Sequence, residues 1–127
     1  MNKLTTLLLI LLILPVAQAS YYNEIIEKGQ ELGETYLIDE YLQYSTYYQF
    51  NYYKKSLNEY WEERIGDCTE IARVKYIMYK SIGLKARISH GYIYGEKHDY
   101  AEYYENDKWN SVEEKYNNVT RQGRGIW

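Results

Sequence analysis

The sequence predicts an α+β domain in which helices come first and an antiparallel sheet follows. Apolar residues recur every three or four positions through much of the stretch from Tyr22 to Ile82, which is the period of amphipathic helices. After Gly83 the pattern changes to strand-like alternation interrupted by two short turns, as in an antiparallel meander. Because the helices precede the strands rather than alternate with them, an α+β architecture is favoured, with the sheet covering one side of the last helix.

The first helical segment covers residues 22–44, where apolar and small residues are interleaved with acids. It contains two glycines, Gly29 and Gly33, and each costs roughly 1 kcal/mol of helix stability relative to alanine. Such glycines indicate either a notch for close packing or a boundary between two short helices, and the pattern alone leaves both possibilities open.

A tyrosine-rich stretch, residues 41–53, follows this segment. With a single phenylalanine in the chain, the favoured interpretation is that these tyrosines are half-buried core residues. The alternative is a stacking wall for glycans or a peptide. A further stretch with helical spacing runs from Leu57 to Arg64.

The next helix is predicted over Thr69 to Ile82, and the only cysteine of the chain, Cys68, lies at its start. Ile71, Val74 and Met78 lie along one line of this helix and are expected to face the sheet. Unpaired backbone N–H groups and the positive end of the helix dipole at its start favour a thiolate and can bind an oxyanion. Asp67 is placed to cap the helix.

Three strands are predicted after Gly83, over residues 85–94, 98–104 and 109–113. His98 opens the second strand and Glu113 lies on the third. Antiparallel strands joined by short turns can bring such residues side by side, although spacing does not fix the register.

The N-terminus resembles a secretory signal peptide, with Lys3, an apolar core from Leu7 to Ala17 and small residues at Ala17 and Ala19. The core has 11 residues, against about 20 needed to span a bilayer. We therefore expect cleavage after Ala19, a single domain over residues 20–127, a secreted or extracytoplasmic location, and no stable membrane insertion after cleavage.

Charge and cysteine content narrow the functional classes. Without Lys3 the mature chain has 14 basic and 18 acidic residues, a net charge of −4, which argues against nucleic acid as a partner. A single cysteine in a secreted protein indicates either an intermolecular disulfide or a free thiol kept for its chemistry.

Four motifs in order resemble the transglutaminase-like superfamily. They are Gly66-Asp-Cys68-Thr-Glu-Ile-Ala72, Ile82-Gly-Leu-Lys-Ala-Arg87, His98-Asp-Tyr-Ala-Glu102-Tyr-Tyr and Trp109-Asn-Ser-Val-Glu113. Family members show G-x-C-x-x-x-A, G-I-x-A-R, H-x-W-x-E-x-Y and W-x-x-V-D. The resemblance covers about residues 61–113, and it implies a papain-like core.

By this resemblance Cys68 is the nucleophile, His98 the base and Glu113 the orienting acid of a cysteine enzyme of acyl transfer. A peptide or protein substrate is implied, with hydrolysis of an amide bond as the simplest reaction and no cofactor. The family usually has Asp at position 113 and Trp at position 100, where this chain has Glu113 and Tyr100. The resemblance and the residue types also suggest that Arg87 pairs with an acid such as Glu102.

Other functions are left open by the residues alone. A catalytically inactive binding module is favoured by Glu113 and by the many tyrosines, and a structural protein cross-linked through Cys68 is a further alternative. A zinc site of Cys68, His90 and His98 lacks the close paired spacing of structural zinc motifs, so we expect no metal, and His90 is interpreted as a strand residue.

Overall fold

The computed structural model describes residues 21–51, 53–93, 95–112 and 120–125. The predicted signal peptide and Glu113 lie outside these residues. Four helices and two small sheets are present in the described part of the chain, in the order helix, helix, short strand, helix, short strand, helix and then four strands. The predicted α+β class is confirmed.

The helices are α1 over residues 21–32, α2 Thr35–Ser45, α3 Leu57–Glu63 and α4 Cys68–Ser81. A parallel pair of two-residue strands, β1 Tyr47–Tyr48 and β2 Ile65–Gly66, joins the segment after α2 to the segment before α4. The sequence analysis did not predict this pair. Within the described residues, no helix is both long enough and apolar enough to cross a membrane.

The two glycines of the first segment have different roles. Gly33 has φ +76° and separates α1 from α2, so it is the helix boundary. Gly29 is buried against α4, where an added Cβ would lie 3.0 Å from Met78 Cα, so it is the close-packing notch. Each of the two possibilities raised by the sequence is therefore correct at one glycine.

The main sheet contains β3 Lys85–Ile93, β4 Glu96–Glu105, β5 Lys108–Asn110 and β6 Thr120–Gly125, in the spatial order β5-β4-β3-β6. All neighbouring pairs are antiparallel. The predicted meander corresponds to β3, β4 and β5, while β6 adds to the opposite side of β3. Asn106 and Asp107, both with positive φ, form the tight turn between β4 and β5.

A buried polar network fixes the register of the β3–β4 hairpin. Arg87 and Glu102 are cross-strand partners with their Nε and Oε1 atoms 3.0 Å apart, and Ser89 donates a further hydrogen bond to the same carboxylate. Trp109 of β5 covers the Arg87 guanidinium at 3.8 Å from the ring centroid. The suggested Arg87–Glu102 pair is confirmed, and it fixes where the beginning of β4 lies relative to β3.

Helix α4 packs against β3 and β4, as predicted, and contributes the largest share of the core. Val74, Met78 and Tyr79 are fully buried, and the edge of Tyr79 packs on Tyr103 with ring centroids 5.0 Å apart. Gly83 ends the helix region with φ +87°.

The predicted core was wrong in two respects. Ile71 packs against the core but is only half-buried, whereas the charged residues Glu70 and Lys75 of the same helix are buried. The favoured interpretation of the tyrosine-rich stretch also fails for most of its members, because five of the aromatic side chains are exposed. These are Tyr44, Tyr47, Tyr48, Phe50 and Tyr53. Tyr52 lies outside the described residues.

Candidate active site

Cys68 is the first residue of α4, as the sequence predicts. The preceding residue, Asp67, has extended backbone and its side chain accepts a hydrogen bond from the Thr69 N–H at 3.0 Å, so it is the N-cap. The cap leaves the thiol in the first turn, where backbone N–H groups lack partners within the helix. Cys68 is half-buried and, as the one cysteine of the sequence, has no partner for a disulfide within the chain.

The glycine two residues before the cysteine is required by packing. An added Cβ at Gly66 would lie 2.7 Å from Cδ2 of Tyr60, a fully buried ring of α3. The Tyr60 hydroxyl is in turn hydrogen-bonded to Thr46 Oγ1 at 2.5 Å. The glycine of the G-x-C motif therefore allows the strand that leads into α4 to lie directly on a core tyrosine.

The beginning of β4 lies beside the thiol. The backbone N–H of Asp99 donates to Cys68 Sγ at 3.5 Å, and the Asp99 carboxylate accepts from Thr69 Oγ1 at 2.9 Å. The other carboxylate oxygen is 2.6 Å from His90 Nδ1, directly across the β3–β4 pair. His90 thus holds Asp99, and Asp99 joins the start of α4 to the sheet.

His98 precedes Asp99 and lines, together with Cys68, a cavity of about 870 Å³. Its ring lies nearly parallel to that of Tyr100, with centroids 6.1 Å apart, and its Nε2 atom is buried. Alternation along β4 directs Asp99 towards α4 and His98 to the other face of the strand. Both residues line the cavity. In the described part of the chain β5 pairs only with residues 103–105 of β4, so it does not extend along the start of β4 where His98 and Asp99 lie.

Tyr48 of β1 covers the nucleophile position from the opposite side. The pairing of β1 with β2 places it beside Gly66, and it lines the same cavity. Its hydroxyl lies close enough to Cys68 to interact with both the backbone and the side chain of that residue. Partial desolvation and the neighbouring Cys68 and Asp67 raise the pKa of Tyr48, so the hydroxyl stays protonated and available as a donor.

The family model of the transglutaminase-like superfamily matches residues 21–114, most of the chain. The chain belongs to the transglutaminase-like superfamily. The four motifs that indicated this family lie within the matched region, and they bring Cys68 and His98 to one cavity. No curated protein sequence matches the chain.

Solved structures with this fold include a candidate cysteine protease, LapG and a TGase, all at low sequence identity. A candidate cysteine protease from Cytophaga hutchinsonii is 15% identical with a TM-score of 0.69, over 82% of this chain and 42% of that protein. Legionella pneumophila LapG, treated with EGTA, is 14% identical with a TM-score of 0.58, over 84% of this chain and 74% of LapG. A TGase is 16% identical with a TM-score of 0.56, over 84% of this chain and 38% of the TGase. This transglutaminase-like chain therefore spans less than half of the first of these proteins.

Directly behind the thiol lies a buried pair of carboxyl groups, Asp67 and Glu70. Burial alone would raise the pKa of Asp67, but hydrogen bonds from Glu70, Lys54 and the amides of Asn51 and Thr69 outweigh it and lower the pKa to about 2. Burial and the hydrogen bond to Asp67 raise the pKa of Glu70. Asp67 is therefore the stronger acid of the pair, and a single proton shared by the two carboxyl groups resides on Glu70.

Of the predicted triad, the structure places Cys68 and His98 around one cavity, while Glu113 lies outside the described residues. In the part of the chain that the structure describes, no group of three or more metal-ligating side chains is arranged to hold an ion. Tyr48 and Asp99 lie beside Cys68, and the sequence pattern did not predict a role for either of them at the site. The alternating pattern of β4 and the His90–Asp99 cross-strand pair could have indicated Asp99 once the register was known, whereas no sequence signal indicated Tyr48.

Proposed function

We propose that the chain is a cysteine-dependent acyl-transfer enzyme that hydrolyses an amide or peptide bond. Cys68 is the nucleophile, His98 the general base and acid, and Glu113 the acid that orients His98. The observation that supports this most directly is the thiol in the first turn of α4, facing a cavity that His98 also lines. That arrangement supplies a nucleophile, a proton acceptor and room for a substrate.

In the first half of the reaction the Cys68 sulfur attacks the carbonyl carbon, and its proton resides on His98. The tetrahedral intermediate collapses as the C–N bond breaks, and the imidazolium gives its proton to the leaving amine. The products are the free amine and a thioester on Cys68. No cofactor takes part.

In the second half His98 removes a proton from water, and the hydroxide attacks the thioester. The C–S bond breaks, the carboxylic acid leaves, and the thiolate is restored beside the imidazolium. An amine in place of water would give transamidation with the same groups.

Tyr48 and the Cys68 backbone N–H are suited to hold the oxyanion of both intermediates. Tyr48 lines the cavity beside Cys68 and its hydroxyl stays protonated, so both this hydroxyl and the Cys68 N–H can donate to the carbonyl oxygen of a bound substrate. Donors aimed at the developing negative charge account for a large part of catalysis in acyl transfer.

The test is acylation of the purified protein by p-nitrophenyl acetate. A burst of p-nitrophenol equal to the enzyme concentration, with an acetyl group on Cys68 in the peptide mass map, is expected for the wild-type protein. Cys68→Ser should abolish the burst. Absence of acylation in the wild-type protein, with Cys68 reduced, would exclude the enzyme.

A binding module is the second candidate, because Tyr48 lines the cavity and two further exposed aromatic residues, Tyr47 and Phe50, lie within two positions of it in the chain. Such rings form platforms for stacking ligands. In that case peptides or glycans bind to the protein with the same affinity whether or not Cys68 is replaced by Ala.

The proposed enzyme acts outside the cytoplasm. We propose that signal peptidase cleaves after Ala19 and releases a protein that begins at Ser20, since the apolar core of the leader is short and ends in small residues.

A further inference from the structure

The cavity beside Cys68 continues along α4 to an ion pair between two helices. Cys68, Ala72 and Lys75 lie along one face of α4 and all line the cavity. Asp39 of α2 lines it from the opposite side, with its Oδ1 atom 3.2 Å from Lys75 Nζ. Both side chains are mostly buried, with 11% and 16% of their surface exposed for Lys75 and Asp39.

Other described residues do not fill all the hydrogen-bonding positions of this pair. An ammonium group has three N–H donors, and in the described part of the chain the ion-pair partner of Lys75 is Asp39. The same Asp39 oxygen, Oδ1, also accepts from the Tyr79 hydroxyl at 2.5 Å, whereas Oδ2 has no hydrogen bond to a described residue. A mostly buried cation and a mostly buried carboxylate, each able to bind a further group from the cavity, therefore border the space beside the nucleophile.

We propose that the Asp39–Lys75 pair recognises a free α-amino acid end group on the acyl part of the substrate. The α-carboxylate binds Lys75 and the α-ammonium binds Asp39 Oδ2. This inference rests on the proposed function, because an end group held there belongs to the acyl group that Cys68 receives.

Charge balance favours a zwitterionic end group over a single charge. A lone carboxylate on Lys75 would lie close to the Asp39 carboxylate, and a lone ammonium on Asp39 would lie close to Lys75, so each would be repelled by one member of the pair. An end group that carries both charges forms two charge-assisted hydrogen bonds and adds no net charge to the cavity.

The position of Lys75 limits the length of the acyl group. Lys75 lies two turns beyond Cys68, roughly 10 Å along the helix axis, and side chains of a helix lean towards its N-terminus, which brings Nζ nearer to the thiol. The end group and the scissile carbonyl are therefore separated by a short chain of carbons. Aspartyl-β, glutamyl-γ and aminoadipyl-δ amides cover this range of lengths.

The first experiment measures binding without catalysis. Cys68→Ala protein is titrated by calorimetry with the methylamides of these three acyl groups. Each methylamide is used in three forms: with both the α-amine and the α-carboxyl group free, with the α-amine acetylated, or with the α-carboxyl group converted to the amide. At least one free-ended compound should bind, and either blocked form of it should bind roughly tenfold more weakly or worse. If no free-ended compound binds, or if the blocked forms bind equally well, the inference is wrong.

Variants assign the effect to the pair. In the Cys68→Ala background, Lys75→Met combined with Asp39→Asn removes both charges at once, so that neither is left buried alone. This combination should abolish the preference for free ends. Lys97→Met is the matched control, because Lys97 lines the same cavity but is exposed, and it should keep the preference. If the double replacement unfolds the protein, Lys75→Arg in the Cys68→Ala background is used instead. This variant keeps the positive charge and should keep the preference for free ends. Loss of the preference in the Lys75→Arg variant would contradict a charge-based site.

Hydrolysis of the matching p-nitroanilides by the wild-type protein separates this inference from the proposed function. Cys68-dependent hydrolysis with no preference for a free end overturns the inference and leaves the enzyme intact. The opposite result is also possible. If the Cys68→Ala protein binds free-ended amides, but the wild-type protein neither hydrolyses the anilides nor is acylated by p-nitrophenyl acetate, the proposed function is wrong and the binding site remains.

Discussion

The backbone N–H of Asp99 points at Cys68 Sγ across 3.5 Å, so the start of β4 and the start of α4 meet at the sulfur. His98 is the neighbouring residue in the chain and lines the cavity with the thiol. A hydrogen bond from a backbone amide stabilises negative charge on the sulfur, as does a nearby imidazolium. The chemistry proposed for Cys68 depends on these two contributions.

Alkylation should report the thiolate. Iodoacetamide at pH 6 should modify Cys68 roughly tenfold faster than a cysteine in an unstructured peptide, because the thiolate is the reacting species. His98→Ala should reduce the rate to that of the peptide, since the compensating positive charge is removed. Rates follow from mass spectrometry of quenched samples.

His90→Ala is the control for this experiment, because His90 contacts Asp99 rather than lining the cavity. It should change the alkylation rate much less than His98→Ala. An identical effect of the two replacements would argue against His98 as the partner of the thiol.

Glu113→Gln should lower turnover while alkylation at pH 6 is partly retained, if Glu113 orients the imidazole.

Tyr48→Phe should lower kcat by roughly 10²-fold with little change in KM, since it removes one donor to the oxyanion. The measurement is steady-state hydrolysis of an amide or ester substrate. Tyr47→Phe is the matched control, because this adjacent residue of β1 is not among the residues that line the cavity, and it should be without effect. An increase in kcat for Tyr48→Phe would instead identify the hydroxyl as an inhibitory cap on the thiol.

The sequence could predict the parts of this site that are encoded by neighbouring residues, but not those formed by contacts between distant segments. Cys68 and its cap, Asp67, were predicted because a helix start is encoded by neighbouring residues. The class of the sheet and the Arg87–Glu102 pair followed from alternation and from the family resemblance. Tyr48 could not be predicted, because it reaches Cys68 through a parallel pairing of two-residue strands that has no periodic signature.

Lys75 shows a second limit. Helical spacing places it near the buried positions of α4, but its charge argues against burial until its partner is known. That partner, Asp39, lies on another helix, and spacing within one helix carries no information about it. The same applies to Glu70, whose burial depends on Asp67 and on amides of the 51–55 segment.

The core of α4 should be sensitive to truncation at Met78, which is fully buried and lies against Gly29 of α1. Met78→Ala should lower the free energy of unfolding by roughly 2 to 5 kcal/mol, from lost apolar burial and the cavity left behind. Urea denaturation measures this. Ile77→Ala, at a half-buried position on the same helix, should have a clearly smaller effect, and equal effects would show that the burial pattern is misassigned.

The exported protein should begin at Ser20. Intact mass analysis of material from the medium or periplasm of an expressing host measures this directly. A mass that retains residues 7–14 would contradict cleavage and indicate a protein tethered by its leader.

The Asp67–Glu70 pair should make stability depend on pH in two opposite ways. The pKa of Asp67 is lowered to about 2 from 3.8, so its contribution is present above about pH 4 and is lost as the pH falls towards 2. The pKa of Glu70 is raised above 4.5, so its contribution is present at pH 4 and below and is lost as the pH rises through the raised value. At neutral pH the protein therefore bears the cost of keeping this second carboxyl protonated or of placing two negative charges together.

Glu70→Gln should remove that cost, since the amide donates a hydrogen bond to Asp67 at every pH and its oxygen still accepts from the Lys55 N–H. Relative to the wild-type protein, the variant should gain free energy of unfolding between pH 4 and pH 7, as measured by urea denaturation at both values. Glu40→Gln is the control, because Glu40 is exposed on α2 and should give no such change. If the difference between Glu70→Gln and the wild-type protein is the same at pH 4 and pH 7, Glu70 does not carry the proton of the pair.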